Sequence, residues 1–180
     1  MNSTQYRWFG ISGTWRTTNE VVENDVRSAV REITSRGDGV ITGGALGVDY
    51  FAIDEALKSY PDAAKLKVVI PASFESYIEH LKAWASGYDT GDPTITRTEA
   101  DLLIDQLTKA RRANPAAIVE ASSAAPEGIR KEAYFARNTV IAQLLDELLA
   151  FQVNNSAGTQ DTIDKARALG KQVIVRSYSE

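Results

Sequence analysis

Hydrophobic residues in this chain form short uninterrupted runs that alternate with longer segments of helical periodicity. The runs predict six strands, at residues 6–12, 39–43, 65–71, 116–121, 148–153 and 171–177. The segments between them predict six helices, at residues 19–37, 48–60, 74–85, 95–113, 132–147 and 159–170. In the first helix one apolar stripe recurs at 3.6-residue spacing, made by Val22, Val26, Ala29, Val30 and Ile33.

Regular alternation of strand and helix predicts an α/β fold. Strands that are apolar throughout are typical of a sheet buried on both faces. We therefore predict a single three-layer α/β domain over residues 1–180, with a mostly parallel sheet. Residues 86–113, which begin with the polar loop SGYDTGDPT, interrupt this pattern, and we interpret them as an insertion in the domain.

Composition and charge narrow the classes of function. The 180 residues are enough for one domain with its own core, and 24 acidic against 20 basic side chains give a net charge of −4. That charge excludes a globally basic surface for nucleic acid but leaves a local basic patch open. The absence of cysteine excludes disulfides and thiolate metal sites. His80 is the only histidine, which excludes a His-rich metal site, and we predict no metal. We also predict no cofactor.

The N-terminal residues lack the basic region and long apolar core of a signal peptide, and no apolar run reaches membrane-spanning length. These features predict a soluble, cytoplasmic protein without a membrane partner.

Glycines are concentrated where the second strand meets the second helix, in the segment TGGALGVD (42–49). We expect Gly43 and Gly44 to form a tight turn with positive φ, and Gly47 to allow a close approach of backbone or ligand. Asp49 then lies in the first helical turn, where it either caps free N–H groups or accepts hydrogen bonds from a ligand. The spacing matches neither the dinucleotide fingerprint nor a Walker A loop.

Two more strand ends carry small polar residues, in SGTWR (12–16) and NNSAGT (154–159). Backbone N–H groups, hydroxyls and the guanidinium of Arg16 suit a phosphate. The carboxyl ends of parallel strands meet at one edge of the sheet. These loops therefore predict a shared crevice for an anionic, hydroxyl-rich ligand such as a nucleotide.

Aromatic side chains leave two interpretations open. They offer a stacking surface for a base, or they belong to the core and its rim. The residues concerned are Trp8, Trp15, Trp84, Tyr77 and Tyr88. His80 has no partner at a defined spacing, and we predict a surface or partly buried helix residue rather than a catalytic one.

Three segments in order resemble the motifs of a known group of proteins. They are ITGGALGVDYFA (41–52), YFARNTVIAQL (134–144) and SAGTQDTIDKARALGKQV (156–173). Together they resemble the Rossmann-like core of the DprA/Smf DNA-processing proteins, within the SLOG superfamily. A weaker similarity links the chain to the LOG phosphoribohydrolases. The likeness spans most of the chain outside residues 86–113.

This resemblance implies specific partners and roles. In DprA-type proteins the core binds single-stranded DNA and a recombinase and forms dimers, which implies DNA as a partner and a homo-oligomer. In LOG-type enzymes a nucleoside monophosphate loses its base through an Arg and an acid, which implies Arg137 and Asp161 here. By the residues alone, Arg137 either pairs with a local acid, Glu132 or Asp146, or contacts a phosphate. Asn138 bonds either a backbone loop or a base edge.

Our leading prediction is a sensor or binding module for a nucleotide or nucleotide-derived ligand. A LOG-like hydrolase and a DprA-like single-stranded DNA binder are the alternatives, so whether the chain is an enzyme stays open. The predicted ligand-binding residues are Ser12, Gly13, Thr14, Arg16, Thr42, Gly43, Gly44, Gly47, Asp49, Arg137, Asn138, Ser156, Gly158 and Thr159.

Overall fold

The computed structural model describes residues 5–180, which form six strands and six α-helices. The strands are β1 (Trp8–Gly13), β2 (Gly39–Gly43), β3 (Leu66–Ile70), β4 (Ile118–Glu120), β5 (Glu147–Val153) and β6 (Gln172–Tyr178). The helices are α1 (Glu20–Ser35), α2 (Val48–Ser59), α3 (Phe74–Ala85), α4 (Arg97–Ala113), α5 (Lys131–Leu144) and α6 (Ala157–Ala168). The predicted α/β, Rossmann-like fold is confirmed.

All six strands pair in parallel, in the order β4-β3-β2-β1-β5-β6. The chain runs outward from β1 through β2 and β3 to β4, and then returns to place β5 on the other side of β1. The direction of winding therefore reverses between β1 and β5. In open α/β sheets a crevice for ligands lies outside the carboxyl ends of the strands at this point.

Apolar side chains fill both faces of the sheet. Because successive residues of a strand point to opposite faces, Val40 packs in the core beneath α1 to α4, and Ile41 packs in the core beneath α5 and α6. In β5, Phe151 packs in the core beneath α1 to α4, and Leu148 packs in the core beneath α5 and α6. Burial on both faces explains why the strands read as continuous apolar runs rather than alternating ones.

Polar side chains cap several helix N-termini. The side chain of Asn19 accepts from the backbone N–H of Val22 at 3.0 Å, and Thr96 with Glu99 forms a reciprocal capping box at α4. By contrast, the N-cap of α6 is Ser156, whose side chain accepts no N–H of the first turn. The start of α6 therefore keeps free donors.

Within the described part of the chain, the helices are all too short or too polar to cross a membrane.

Candidate ligand-binding site

A cavity of about 420 Å³ opens where the winding reverses, at the carboxyl ends of β1 and β5. It is bounded by the end of β1, the first turn of α2, one face of α5 and the start of α6. Of the predicted ligand-binding residues, those in its lining are Ser12, Gly13, Asp49, Arg137, Asn138, Ser156, Gly158 and Thr159. Those outside the lining are Thr14, Arg16, Thr42, Gly43, Gly44 and Gly47.

A buried ion pair joins two of these residues across 88 positions of sequence. Arg137 Nη1 lies 3.4 Å from Asp49 Oδ2, and both side chains are at most one-tenth exposed. The partner of Arg137 is thus neither Glu132 nor Asp146. Arg137 Nε is buried and has no hydrogen-bond partner within residues 5–180, so part of the guanidinium's donor capacity is unused.

Asp49 is held by neighbours from three directions. Thr42 Oγ1 lies 3.0 Å from its Oδ1, and the backbone N–H of Ala45 donates to its Oδ2 at 3.3 Å. Burial nevertheless raises the pKa of Asp49 above its ordinary value, although Arg137 and these hydrogen bonds oppose the shift. Asp49 therefore does not cap the N-terminus of α2, which has no side-chain cap, so the local interpretation is wrong. Asp49 accepts instead from the loop N–H of Ala45 and faces the cavity.

The glycines of the 42–49 segment serve packing more than ligand approach. Our expectation of positive φ at Gly43 and Gly44 is wrong, because of these three glycines only Gly47 has it, at +68°. A Cβ at Gly43 would overlap the Arg137 guanidinium and the Asp49 carboxylate. A Cβ at Gly47 would lie 2.5 Å from the carbonyl oxygen of Thr14, so Gly47 lets two backbone segments meet.

Gly44 packs in the same way, since a Cβ there would lie 2.6 Å from Ile70 Cγ2. Thr42 is fully buried beneath Asp49, and its Oγ1 also lies 2.9 Å from the carbonyl oxygen of Ile11. These two residues support the site from behind its surface.

Thr14 and Arg16 bind parts of the protein itself. Thr14 Oγ1 accepts from the backbone N–H of Val153 at 3.2 Å, which fastens the end of β1 to the end of β5. The Arg16 guanidinium donates to the carbonyl oxygen of Thr94 and lies 4.9 Å from the ring of Trp15. A phosphate contact by Arg16 stays a prediction, and this geometry does not favour it.

Asn138 fastens α5 to the start of α6. Its Nδ2 donates to Asp161 Oδ2 at 3.0 Å and lies 3.3 Å from the carbonyl oxygen of Gly158. Asp161 also pairs with Lys165 at 2.9 Å and lies outside the cavity lining. Asn138 thus bonds the backbone and a side chain of α6 rather than a loop, and Asp161 is occupied with structural partners.

Aromatic rings form one wall of the cavity, which we call the aromatic wall: Trp15, Tyr77, Trp84 and Tyr134. Tyr77 is buried and its hydroxyl donates to the carbonyl oxygen of Gly44 at 2.8 Å. Burial raises the pKa of Tyr134 to about 12, so its hydroxyl stays protonated. Trp8 and Tyr88 lie outside the lining.

His80 lies behind this wall in α3 and is almost fully buried, so the prediction of a surface or partly buried residue is wrong. Its Nδ1 lies 3.3 Å from the carbonyl oxygen of Pro126, and its Nε2 lies 3.4 Å from the hydroxyl of Tyr134. A neutral ring that donates from Nδ1 and accepts at Nε2 satisfies both contacts. Burial lowers the pKa of His80, in agreement with that form.

Sequence reasoning missed one face of α5. Lys131, Tyr134 and Phe135 line the cavity together with the predicted Asn138, at spacings of three and four residues. This i, i+3, i+4, i+7 pattern was readable in the sequence and would have found them. Asp92 was also missed, since no periodicity marks a residue in an irregular segment.

No family model matches the chain, and no curated protein was found to be similar to it. Among solved structures, DNA processing protein A from Helicobacter pylori, described for its single-stranded DNA binding mode, shares 20% identity at a TM-score of 0.62. The likeness covers 94% of this chain and 64% of that one. DprA from Streptococcus pneumoniae shares 18% identity at a TM-score of 0.61, with 94% and 50% covered.

A molybdenum cofactor binding protein from Rippkaea orientalis shares 17% identity at a TM-score of 0.56, with 98% of this chain and 79% of that one covered. The chain therefore spans about half to four-fifths of the length of these proteins. Similarity at this level of identity concerns the fold. It shows that the chain shares the Rossmann-like α/β fold of these proteins.

Proposed function

We propose that this protein binds a nucleotide or nucleotide-derived small molecule in the cavity between β1 and β5, as a binding or sensing module. The observation that carries the proposal is the pairing, in one cavity of about 420 Å³, of an uncapped helix start with an aromatic wall. A volume in this range suits a small ligand. The helix start can accommodate the phosphate of a nucleotide, and the aromatic wall can accommodate its base.

The phosphate suits the start of α6. Ser156, Gly158 and Thr159 line the cavity there, and the first-turn N–H groups are not capped by the Ser156 side chain. A Cβ at Gly158 would have no neighbouring atom within 4 Å, so there is room beside the backbone. The helix dipole adds to the attraction for an anion.

Charge in the lining favours a ligand with few phosphates. Its charged side chains are Asp49, Asp92, Lys131 and Arg137, whose formal charges sum to zero. Arg137 is already paired with Asp49. A triphosphate or a long DNA strand would gain more from a strongly cationic groove.

Hydrolysis of the LOG type is less well supported by this geometry. It requires an acid near Arg137 at the reacting bond, and Asp161 instead bonds Asn138 and Lys165. Single-stranded DNA binding is favoured by one observation, the fold shared with the Helicobacter protein. The fold neighbour that binds a molybdenum cofactor supports a small ligand.

The test is a thermal-shift panel at low and moderate salt, with nucleoside mono-, di- and triphosphates, cyclic and dinucleotides, ADP-ribose and oligo-dT. A ligand at a hundred times its Kd stabilises a fold by about 2.7 kcal/mol. For a domain of this size that raises Tm by about 5–10 °C. We expect a nucleoside monophosphate to give the largest rise in Tm. A response to oligo-dT alone, falling steeply with salt, would replace the proposal by DNA binding.

A pair of glycine variants shows whether the nucleotide that raises Tm binds in this cavity. Gly158→Leu adds a side chain beside the cavity in space that is free, whereas Gly128→Leu adds the same side chain at an exposed turn outside it. We expect the nucleotide response to vanish in the first variant and to persist in the second. Equal responses in both would show that the nucleotide binds elsewhere.

A further inference from the structure

Two tryptophans meet at the cavity from distant parts of the chain. Trp15 follows β1 and Trp84 lies in the last turn of α3, with ring centroids 5.4 Å apart. Both line the cavity, and Trp84 is only 7% exposed. The two ring planes are tilted 54° to each other, so a heteroaromatic ring can stack on one of them at a time.

Trp84 also carries an unused hydrogen-bond donor. Its indole Nε1 is buried and has no acceptor within residues 5–180. Because this N–H is already removed from water, a ligand acceptor that reaches it after a shift of the neighbouring side chains would form a hydrogen bond without a further desolvation cost at the donor. Nucleobases carry ring nitrogens and carbonyl oxygens that can act as this acceptor.

An acidic residue lies on the segment next to this pair. Arg16 stacks on Trp15 and donates to the carbonyl oxygen of Thr94, which holds the segment 86–96 beside the tryptophans. That segment places Asp92 in the cavity lining. Its carboxylate repels a phosphate from this end and accepts N–H groups of a base.

We propose that Trp15 and Trp84 form the base subsite of the cavity, with the phosphate directed away from Asp92 toward the start of α6. This inference rests on the proposed function. It assigns the base to the end of the cavity at the two tryptophans and the phosphate to the end at α6. Arg16 is a positioning residue that holds Trp15 and the 86–96 segment together.

The test measures Kd by titration calorimetry for AMP, GMP, CMP and UMP, and for ribose 5-phosphate, which lacks a base. Trp84→Leu and Trp15→Leu remove the stacking surface, and Trp84→Phe keeps a ring without the N–H. Trp8→Leu is the matched control, because Trp8 packs against Gly39 and Lys67, outside the cavity.

Loss of stacking is expected to weaken binding of the preferred nucleotide about tenfold in either leucine variant. Trp84→Phe should recover part of that loss, and Trp8→Leu should change Kd by less than about twofold. Binding of ribose 5-phosphate should be weak and equal in all four variants, which also shows that each one is folded.

Three results would overturn the inference. If Gly158→Leu abolishes nucleotide binding while both tryptophan variants keep the wild-type Kd, the cavity binds nucleotides but these rings do not hold the base. If ribose 5-phosphate binds as tightly as the nucleotides, there is no base subsite. If no nucleotide binds the wild-type protein, the proposed function fails and this inference with it.

Discussion

At the scale of single residues, Gly43 is a glycine because Arg137 fills the space beside it. The guanidinium passes over the end of β2 to reach Asp49, and a Cβ at position 43 would overlap both side chains. The ion pair of Arg137 and Asp49 therefore packs directly against the backbone of Gly43. No other residue type leaves room for it.

We expect Gly43→Ala to lower the free energy of unfolding by about 1–3 kcal/mol, because added volume in a packed interior forces its neighbours to move. For a chain of this length the corresponding fall in Tm is about 2–12 °C. Thermal unfolding followed by circular dichroism measures it. Gly128→Ala, where the nearest atom to a Cβ is 4.0 Å away, is the control and should leave Tm within about 1 °C. Equal Tm values for the two variants would contradict this packing.

His80 gives a prediction for pH. Burial lowers the pKa of His80 below its ordinary value of 6.5, so the unfolded chain holds this proton more tightly than the folded protein. The contribution of neutral His80 to the free energy of unfolding is complete above pH 6.5 and is lost as pH falls through the folded pKa. Because the chain has one histidine, proton NMR follows a single imidazole. A titration of the His80 imidazole with its midpoint at or above pH 6.5 would contradict the buried, neutral ring.

At the scale of elements, the start of α6 depends on α5. Asn138 reaches from α5 to the carbonyl oxygen of Gly158 and to Asp161, while Thr159 is fully buried. The first turn of α6 lacks a capping side chain of its own. Its position beside the cavity is therefore maintained by tertiary contacts rather than by local sequence.

Asn138→Ala removes these contacts, and we expect a loss of about 1 kcal/mol in the free energy of unfolding. More specifically, amide hydrogen exchange should accelerate in the first turn of α6 and stay unchanged in α1, which Asn138 does not contact. Mass spectrometry of peptides covering both helices makes the comparison. Unchanged exchange in α6 would show that Asn138 does not hold it.

At the scale of the whole molecule, the sequence predicted the fold well. Continuous apolar strands and amphipathic helices are local patterns, and all twelve elements were recognised. The boundary between α5 and β5 was placed late, because Leu145 is apolar and continues the helical pattern although its backbone is extended.

The site was predicted less completely, for a physical reason. Loop chemistry at strand ends indicated Ser12, Asp49 and Gly158, since the topology brings such ends together. Pairings such as Arg137 with Asp49, or Arg16 with Thr94, depend on distances that no local pattern contains. The meeting of Trp15 and Trp84 likewise follows from the packing of α3 against the β1–α1 loop.

A crystal structure of the protein with the nucleotide that gives the largest thermal shift would show directly where the ligand binds. We expect density for the whole nucleotide at the carboxyl ends of β1 and β5, with its phosphate at the first turn of α6 and its base against Trp84. Nucleotide bound outside this cavity, with the cavity empty, would contradict this expectation.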